Sequence, residues 1–199
     1  MPGKGERAGR VRSFAPVAKG DARMLVLGSM PGEESLRRRE YYAHPRNAFW
    51  RIAGALWGFD AAAPYAERLE ALKRARVALW DVLGSCRRKG SLDADIEDAV
   101  PNDLPGLLAK CPEVRLIGCN GGAAFAALKR HFPDLGIPAV RLPSTSPAAA
   151  MWTPSRKLEM WRAALCGAGG ARWGVRRGEH GEKCPPDAES ACLSAAKRA

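Results

Sequence analysis

Short apolar runs alternate with helical patterns along this chain, and this alternation limits the fold more than any other feature. The runs lie at residues 24–27 (MLVL), 77–83 (VALWDVL), 114–119 (VRLIGC) and 139–142 (AVRL). Each run has the length and apolar character of a strand buried in a sheet. Helical patterns over residues 46–58, 64–74, 103–110 and 123–131 separate the runs, and a further one follows residue 153. Strands separated by helices predict a parallel sheet of about four strands with helices on both faces.

Capping residues mark the expected starts of two of these helices. Asn102 is expected to cap the helix over 103–110, because a side-chain oxygen at that position accepts an unpaired backbone N–H. Thr153, followed by Pro154, is expected to cap the last helix. The inner stripe of that helix would carry Leu158 and Trp161.

The charge of the chain favours a polyanionic partner. The 199 residues carry a formal net charge of +11, and a strongly basic protein binds nucleic acid more readily than other partners. More than half of the excess lies outside residues 24–166, so charge alone is a weak indication. No apolar stretch reaches the length of a membrane span, and residues 1–20 lack the apolar core of a secretory signal. We therefore expect a cytoplasmic protein that does not enter a membrane.

Composition also bounds the domain and its chemistry. The six cysteines show no C-x-x-C spacing and the three histidines are far apart, which argues against zinc or an iron–sulfur cluster, so no metal site is expected. Residues 1–10 and 167–199 are rich in Gly and charge, the latter also in Pro, and are expected to be a disordered basic leader and a disordered tail. The folded domain is then predicted to span residues 11–166.

Three unusual segments follow predicted strands. They are residues 28–32 (GSMPG), 120–122 (NGG) and 143–147 (PSTSP). In an open parallel sheet the ligand crevice lies beyond the carboxyl ends of the strands, so these segments are expected to meet there. Their coincidence is the first indication of function.

Each segment has a functional interpretation and a structural alternative. Residues 28–32 could turn backbone N–H groups toward an anion or a base edge, although many α/β domains turn this way. Residues 41–50 (YYAHPRNAFW) offer aromatic faces for an unstacked base and an asparagine that could orient water, or they could simply anchor the core. Residues 143–147 could hold phosphates or be a proline-stiffened loop. A serine nucleophile is not expected, because G-x-S-x-G is absent.

The ordered set of GSMPG, YYAHPRNAFW, NG and PSTSPA resembles the uracil-DNA glycosylase superfamily, and most of all its hypoxanthine-DNA glycosylase (DNA-deoxyinosine glycosylase) branch. The resemblance spans roughly residues 13–165. It implies an α/β fold, namely a three-layer α/β/α sandwich with a four-stranded, mainly parallel central sheet. It further implies a cofactor-free, monofunctional, monomeric enzyme that flips a deaminated base, chiefly hypoxanthine, out of double-stranded DNA and hydrolyses its N-glycosidic bond.

The same resemblance implies roles for individual residues. Asn47 matches the asparagine on which the hypoxanthine branch relies for catalysis, and Tyr42 matches the aromatic residue that stacks on the flipped base. The remaining base-binding residues would be Gly28, Ser29, Met30 and Asn120. Contacts to DNA are expected from Pro31, Gly32, His44, Arg46, Arg141, Pro143, Ser144, Thr145 and Ser146.

Two departures from the superfamily pattern affect substrate choice. Met30 stands where mismatch-uracil enzymes carry a water-activating asparagine, and Leu142 stands where uracil enzymes begin their second motif with His or Asn. Neither side chain can polarise water or donate a hydrogen bond, so ordinary uracil excision is expected to be weak or absent. Three alternatives stay open: a uracil- or mismatch-specific glycosylase, a noncatalytic module that binds damaged DNA, and a hydrolase of free nucleotides.

Overall fold

The computed structural model describes residues 9–168, and its elements alternate between strands and helices. The strands are β1 (Arg10–Arg12), β2 (Met24–Gly28), β3 (Val77–Asp81), β4 (Leu83–Arg87), β5 (Glu97–Pro101), β6 (Leu116–Asn120) and β7 (Ala139–Leu142). The helices are α1 (Glu33–Arg38), α2 (Phe49–Trp57), α3 (Tyr65–Arg74), α4 (Leu104–Lys110), α5 (Gly122–His131) and α6 (Pro154–Gly167), with a 3₁₀ turn at Asp93–Asp95.

The central sheet has four parallel strands in the order β3-β2-β6-β7. Its register aligns the strand ends: Gly28 of β2 lies opposite Asp81 of β3, and Asn120 of β6 lies opposite Leu142 of β7. The predicted α/β class is therefore confirmed, and the carboxyl ends of these strands form one edge.

Helices cover both faces of this sheet. Because connections between parallel strands are right-handed, the strand order implies that α1, α2 and α3 lie on one face and α4 and α5 on the other. Helix α6 contacts α2 and β7, so it joins the first face. Every residue of β2 and β3 is buried, as expected for parallel strands between two helical layers. Phe49, Ile52 and Trp161 fill the first interface, each no more than 1% exposed.

A second sheet was not expected from the sequence. Strands β1, β4 and β5 pair antiparallel in the order β1-β4-β5. The apolar run 77–83 was predicted as one strand, but β3 ends at Asp81 and β4 begins at Leu83. Val82 between them donates a backbone hydrogen bond to the carbonyl of Gly28 at 2.9 Å, and this bond holds the turn against the end of β2.

The ends of the domain and one cap also differ from expectation. Arg10, placed in the disordered leader, belongs to β1, and α6 runs to Gly167, one residue past the predicted boundary. Residues 1–8 and 169–199 lie outside the described residues. Thr153 caps α6, as predicted. Asp103 rather than Asn102 caps α4, because its carboxylate accepts the N–H of Gly106 at 2.9 Å.

Within residues 9–168, no helix is long and apolar enough to cross a membrane. In the same range, no three His, Cys, Asp or Glu side chains are grouped closely enough to hold a metal ion. Cys86, Cys111 and Cys119 are buried thiols.

Candidate active site

The unusual segments meet at the carboxyl edge of the central sheet. Gly28, Asp81, Asn120 and Leu142 end the four parallel strands there. The loops that follow β2, β6 and β7 are the three segments singled out in the sequence. The aromatic loop before α2 joins them, because the backbone N–H of Ala48 donates to the carbonyl of Thr145 at 3.0 Å.

Gly28 leaves a space that no other residue would leave. A Cβ at this position would overlap Oδ1 of Asp81 and would lie 3.1 Å from the hydroxyl oxygen of Tyr42. Two polar atoms from separate elements therefore converge on the Cα of Gly28. The glycine is required by this close approach, since its φ is not in the left-handed region.

The loop at residues 28–32 rests on the chain that follows β4. Ser29 Oγ donates to Oδ1 of Asp93 at 2.6 Å, and Arg88 Nη2 donates to the carbonyl of Pro31. The N–H of Glu33 donates to Ser91 Oγ at 2.9 Å. These bonds fix the conformation of residues 28–32, for which the sequence predicted only a turn.

The side chains of Met30 and Pro31 are buried. Met30 is 7% exposed and packs in the core, and Pro31 is buried with its carbonyl bonded to Arg88. The predicted DNA contact of Pro31 stays a prediction. The backbone N–H groups of Ser29 and Met30 donate no hydrogen bond to any residue in the described range, so they are available to a ligand.

Tyr41 anchors the aromatic loop. It is 3% exposed, its N–H donates to the hydroxyl of Tyr65 at 2.9 Å, and its carbonyl accepts from Trp50 Nε1 at 2.9 Å. The structural alternative for this loop thus holds for Tyr41 and Trp50. The two aromatic rings fix the neighbouring residue instead of contacting a ligand.

Tyr42 faces the crevice. Its φ of 55° is left-handed, and its ring stacks on Phe49 with centroids 4.0 Å apart. Its hydroxyl lies beside the Asn120 side chain and above Gly28, but it makes no hydrogen bond of normal geometry within residues 9–168. Burial, and then the nearby Asp81, raise the pKa of Tyr42, so it stays protonated.

Asn47 is held at the entrance to α2 by two hydrogen bonds. Its Oδ1 accepts the N–H of Phe49 at 2.9 Å, and its own N–H donates to the carbonyl of His44 at 2.8 Å. The side chain is half-buried, and its Nδ2 donates to no residue of the described chain. His44 Nδ1 accepts the N–H of Arg46 at 3.1 Å, and the Arg46 side chain is exposed.

Asn120 and Thr145 form a two-bond pair. Asn120 Nδ2 donates to Thr145 Oγ1 at 2.8 Å, and the N–H of Thr145 donates to Asn120 Oδ1 at 2.9 Å. Thr145 is 1% exposed, so its side chain cannot reach a phosphate, which corrects its predicted DNA contact. These two bonds brace the second motif and leave one N–H on Nδ2 and one lone pair on Oδ1, so the predicted contact of Asn120 with the base stays a prediction.

Helix α6 holds the rest of the second motif. Trp161 Nε1 donates to the carbonyl of Pro143 at 2.7 Å, and Lys157 Nζ donates to the carbonyl of Ser146 at 3.3 Å. Burial lowers the pKa of Lys157. Ser144 and Ser146 remain half-exposed, as a contact to DNA requires.

Known proteins are similar to this chain over most of the described residues. A model of the uracil DNA glycosylase superfamily matches residues 15–165. The chain belongs to this superfamily. The resemblance drawn from the sequence is confirmed, and with it the expected enzyme class, a DNA glycosylase that acts on DNA.

Within the superfamily, two relatives carry the name hypoxanthine DNA glycosylase. The one from Methanosarcina acetivorans is 37% identical over 155 residues, which cover 76% of this chain and 96% of the relative. The one from Methanosarcina barkeri is 40% identical over 111 residues, covering 55% and 70% respectively. A solution NMR structure from M. acetivorans, provisionally described as a uracil DNA glycosylase, has a TM-score of 0.68 and 34% identity, and covers 77% of this chain and 98% of its own.

One residue of this superfamily site was missed in the sequence. Asp81 is 3% exposed at the end of β3, and burial raises its pKa to about 7; its hydrogen bond from Ser13 partly offsets the rise. A polar residue inside an apolar run, at the carboxyl end of a predicted strand, was the available indication. The prediction of one continuous strand over residues 77–83 places Asp81 in the interior of that strand and so hides its position at a strand end.

Proposed function

We propose that this protein removes hypoxanthine from deoxyinosine in double-stranded DNA by hydrolysing the bond between the base and C1′. The observation that carries the proposal is the Asn47 amide, whose Nδ2 is unbonded in the described chain and whose loop is tied to the second motif through Ala48 and Thr145. The names of the two Methanosarcina relatives support the choice of base. The protein would act as a monomer in the cytoplasm.

The base would enter the crevice after flipping out of the duplex, which costs a few kcal/mol and is least costly for a mispaired nucleotide. Phe49 covers one face of the Tyr42 ring, so the base would stack on the opposite face. The backbone N–H groups of Ser29 and Met30 would donate to acceptors on the base edge. Gly28 keeps the space for the base open.

Asn47 would orient the attacking water. Its Oδ1, fixed by the N–H of Phe49, has a second lone pair that can accept a hydrogen bond from the water. An oxygen–C1′ bond forms as the C1′–N9 bond breaks, the water loses a proton to solvent, and the departing base gains one. An amide cannot act as a strong base, so Asn47 works by position, and the developing positive charge on the sugar is stabilised by surrounding phosphates.

DNA would be held by groups around the crevice. Arg46 and Arg141 are exposed beside it, and the Arg141 guanidinium lies near the first residue of α5, Gly122. Cations and helix N-termini are the usual partners of phosphates. Met151 and Trp152, in the loop before α6, are 82% and 43% exposed, and exposed apolar side chains can enter the base stack beside a flipped nucleotide.

Replacing Asn47 tests the proposal. We expect Asn47→Ala to lower excision of hypoxanthine by about 100-fold or more, measured with a labelled duplex that contains one deoxyinosine, followed by alkali and a gel. Because Asn47→Ala also removes the bond to Phe49, Asn47→Ser should be tested too, since serine can still accept that N–H. Glu67→Ala, an exposed change on α3, is the control and should excise like the wild type.

The same assay separates the alternatives. Strand breakage seen only after alkali supports a monofunctional hypoxanthine glycosylase. Excision of uracil alone would place the protein with uracil enzymes and contradict the proposal. Capture of the deoxyinosine duplex without any abasic product would favour a noncatalytic module, and hydrolysis of free deoxyinosine would favour a nucleotide hydrolase. Full activity of Asn47→Ser would refute the role of Asn47.

A further inference from the structure

Arg88 carries a buried positive charge that the proposed reaction leaves without a role. It is 5% exposed, and its Nη2 donates to the carbonyl of Pro31. Its Nε and Nη1 are buried and make no hydrogen bond within residues 9–168, and Arg88 forms no ion pair in the same range. A guanidinium keeps its charge in proteins, so a buried one normally has an acid or another acceptor beside it. A buried charge without such a partner requires an explanation.

A structural role explains only part of this arrangement. One N–H of the guanidinium is enough to hold the Pro31 carbonyl, and a neutral amide could donate the same bond without the cost of a buried charge. Lys157 is the other cation buried among residues 9–168, and it holds the carbonyl of Ser146 in the second motif. Burial lowers the pKa of Lys157, which can lose its proton, whereas Arg88 cannot give up its charge.

The guanidinium of Arg88 lies against the turn that is proposed to bind the base. Pro31, whose carbonyl it holds, belongs to this turn at residues 28–32. The charge also reaches the proposed base position, because it lowers the pKa of Asp81, whose Oδ1 would overlap a Cβ on Gly28. Burial still raises the pKa of Asp81 to about 7, so below that pH this acid is largely protonated and does not neutralise Arg88.

The reaction places negative charge on the departing base. When the C1′–N9 bond breaks, its electron pair stays with the base, which is negative until it gains a proton from solvent. Met30 and Leu142, at the two motifs, have no polar group in their side chains that could donate a hydrogen bond to this charge. A fixed positive charge in a site that excludes water stabilises a developing negative charge without the reorganisation that solvent requires.

We propose that Arg88 promotes departure of the base, because its buried charge, which no described residue pairs, stabilises the negative charge that builds on the base as the C1′–N9 bond breaks. This inference rests on the proposed function and adds to that reaction a residue that does not touch the base. Arg88 acts through the electric field of its charge and through the turn that it holds. The attacking water, the bond that breaks and the protons that move are those of the proposed function.

Single-turnover excision by Arg88 variants tests the proposal. Arg88→Met has a long side chain without charge and should excise hypoxanthine about tenfold to hundredfold more slowly than the wild type. Arg88→Gln can still donate to the Pro31 carbonyl but has no charge, so it should be about as slow. Arg88→Lys, assayed at pH 6 so that the ammonium stays charged, should be about fivefold or more faster than Arg88→Met. Arg74→Met, an exposed change at the end of α3, is the control and should excise like the wild type.

A second base separates the effect of the charge from a structural role. In 8-azahypoxanthine a ring nitrogen replaces the C8–H group and withdraws electrons, so the anion of this base is more stable and needs less help to leave. Arg88→Met should therefore slow excision of 8-azahypoxanthine much less than it slows excision of hypoxanthine. An arginine that only held the turn would slow both excisions by the same factor.

The outcomes that contradict the proposal are distinct. Equal slowing of the two bases would overturn it, as would excision at the wild-type rate by Arg88→Met or Arg88→Gln. Binding to a duplex with an abasic-site analogue should be equal in all variants and confirms that they fold. Weaker binding with an unchanged single-turnover rate would mean that Arg88 holds a phosphate, which would also overturn the proposal. Absence of hypoxanthine excision by the wild type would refute the proposed function and this inference with it.

Discussion

At the scale of single residues, the site depends on Gly28, which has no side chain. Gly28 ends a fully buried strand, and the space above its Cα is shared by the Asp81 carboxyl and the Tyr42 hydroxyl. The Tyr42 hydroxyl is buried without a hydrogen-bond partner in the described chain, which is costly, whereas the Asp81 carboxyl accepts one hydrogen bond from Ser13. The placement of the hydroxyl is therefore consistent with a ligand that supplies the missing hydrogen bond.

Gly28→Ala should disable the site. The added Cβ overlaps Asp81 Oδ1, so the carboxyl or the strand must shift. This shift should lower the free energy of unfolding by about 1–3 kcal/mol. We expect excision to fall more than tenfold, because the methyl group occupies the proposed base position. Urea unfolding and the duplex assay measure the two effects. Gly167→Ala is the control, because a Cβ at that position meets no atom within 4 Å. Excision at the wild-type rate by Gly28→Ala would show that the base does not occupy the space above Gly28.

At the scale of elements, the second motif is held from two sides. Asn120 at the end of β6 binds both the side chain and the backbone of Thr145, while α6 binds the carbonyls of Pro143 and Ser146. The motif carries the carbonyl that fixes Ala48, next to Asn47. Asn47, the proposed catalytic residue, is thus positioned through β6 and β7 as well as through the start of α2.

A double-mutant cycle tests whether Asn120 is a brace. Thr145→Val leaves Asn120 Nδ2 without its partner, and Asn120→Ala removes both bonds, so each should destabilise the fold by about 1–3 kcal/mol. The coupling between them should reach about 0.5–3 kcal/mol. If Asn120 acts only through Thr145, both single variants slow excision alike and the double variant adds little. A much larger loss in Asn120→Ala would mean that this residue touches the base itself.

The elements also show what a sequence can and cannot predict. The four strands of the central sheet and α5 and α6 were predicted because buried parallel strands are continuous apolar runs and helices have an apolar stripe. The sheet β1-β4-β5 was missed because its strands are short and largely polar, as in EDAVP of β5, and exist only through pairing with distant segments. The pairing of Asn120 with Thr145 and the burial of Asp81 depend on the same long-range contacts.

At the scale of the whole molecule, Asp81 should make stability depend on pH. Its pKa is about 7 in the folded protein against 3.8 without the fold, so the folded state holds the proton more tightly. The folded protein with a protonated Asp81 is more stable than the folded protein with an ionised Asp81. This stabilisation is complete below pH 4 and is lost as the pH rises through 7. The difference between the two pKa values corresponds to a change of at most about 4 kcal/mol in the free energy of unfolding.

Asp81→Asn should remove this dependence. The amide keeps the shape of the acid but cannot ionise, so the variant should match the wild type near pH 4 and exceed its stability at pH 8 by up to about 4 kcal/mol. Urea unfolding at a series of pH values measures the difference, and Asp134→Asn, an exposed change, should follow the wild type throughout. Parallel curves for Asp81→Asn and the wild type would contradict the raised pKa that burial gives to the Asp81 carboxyl. A protein that is more stable without this acid has kept it at a cost to its fold.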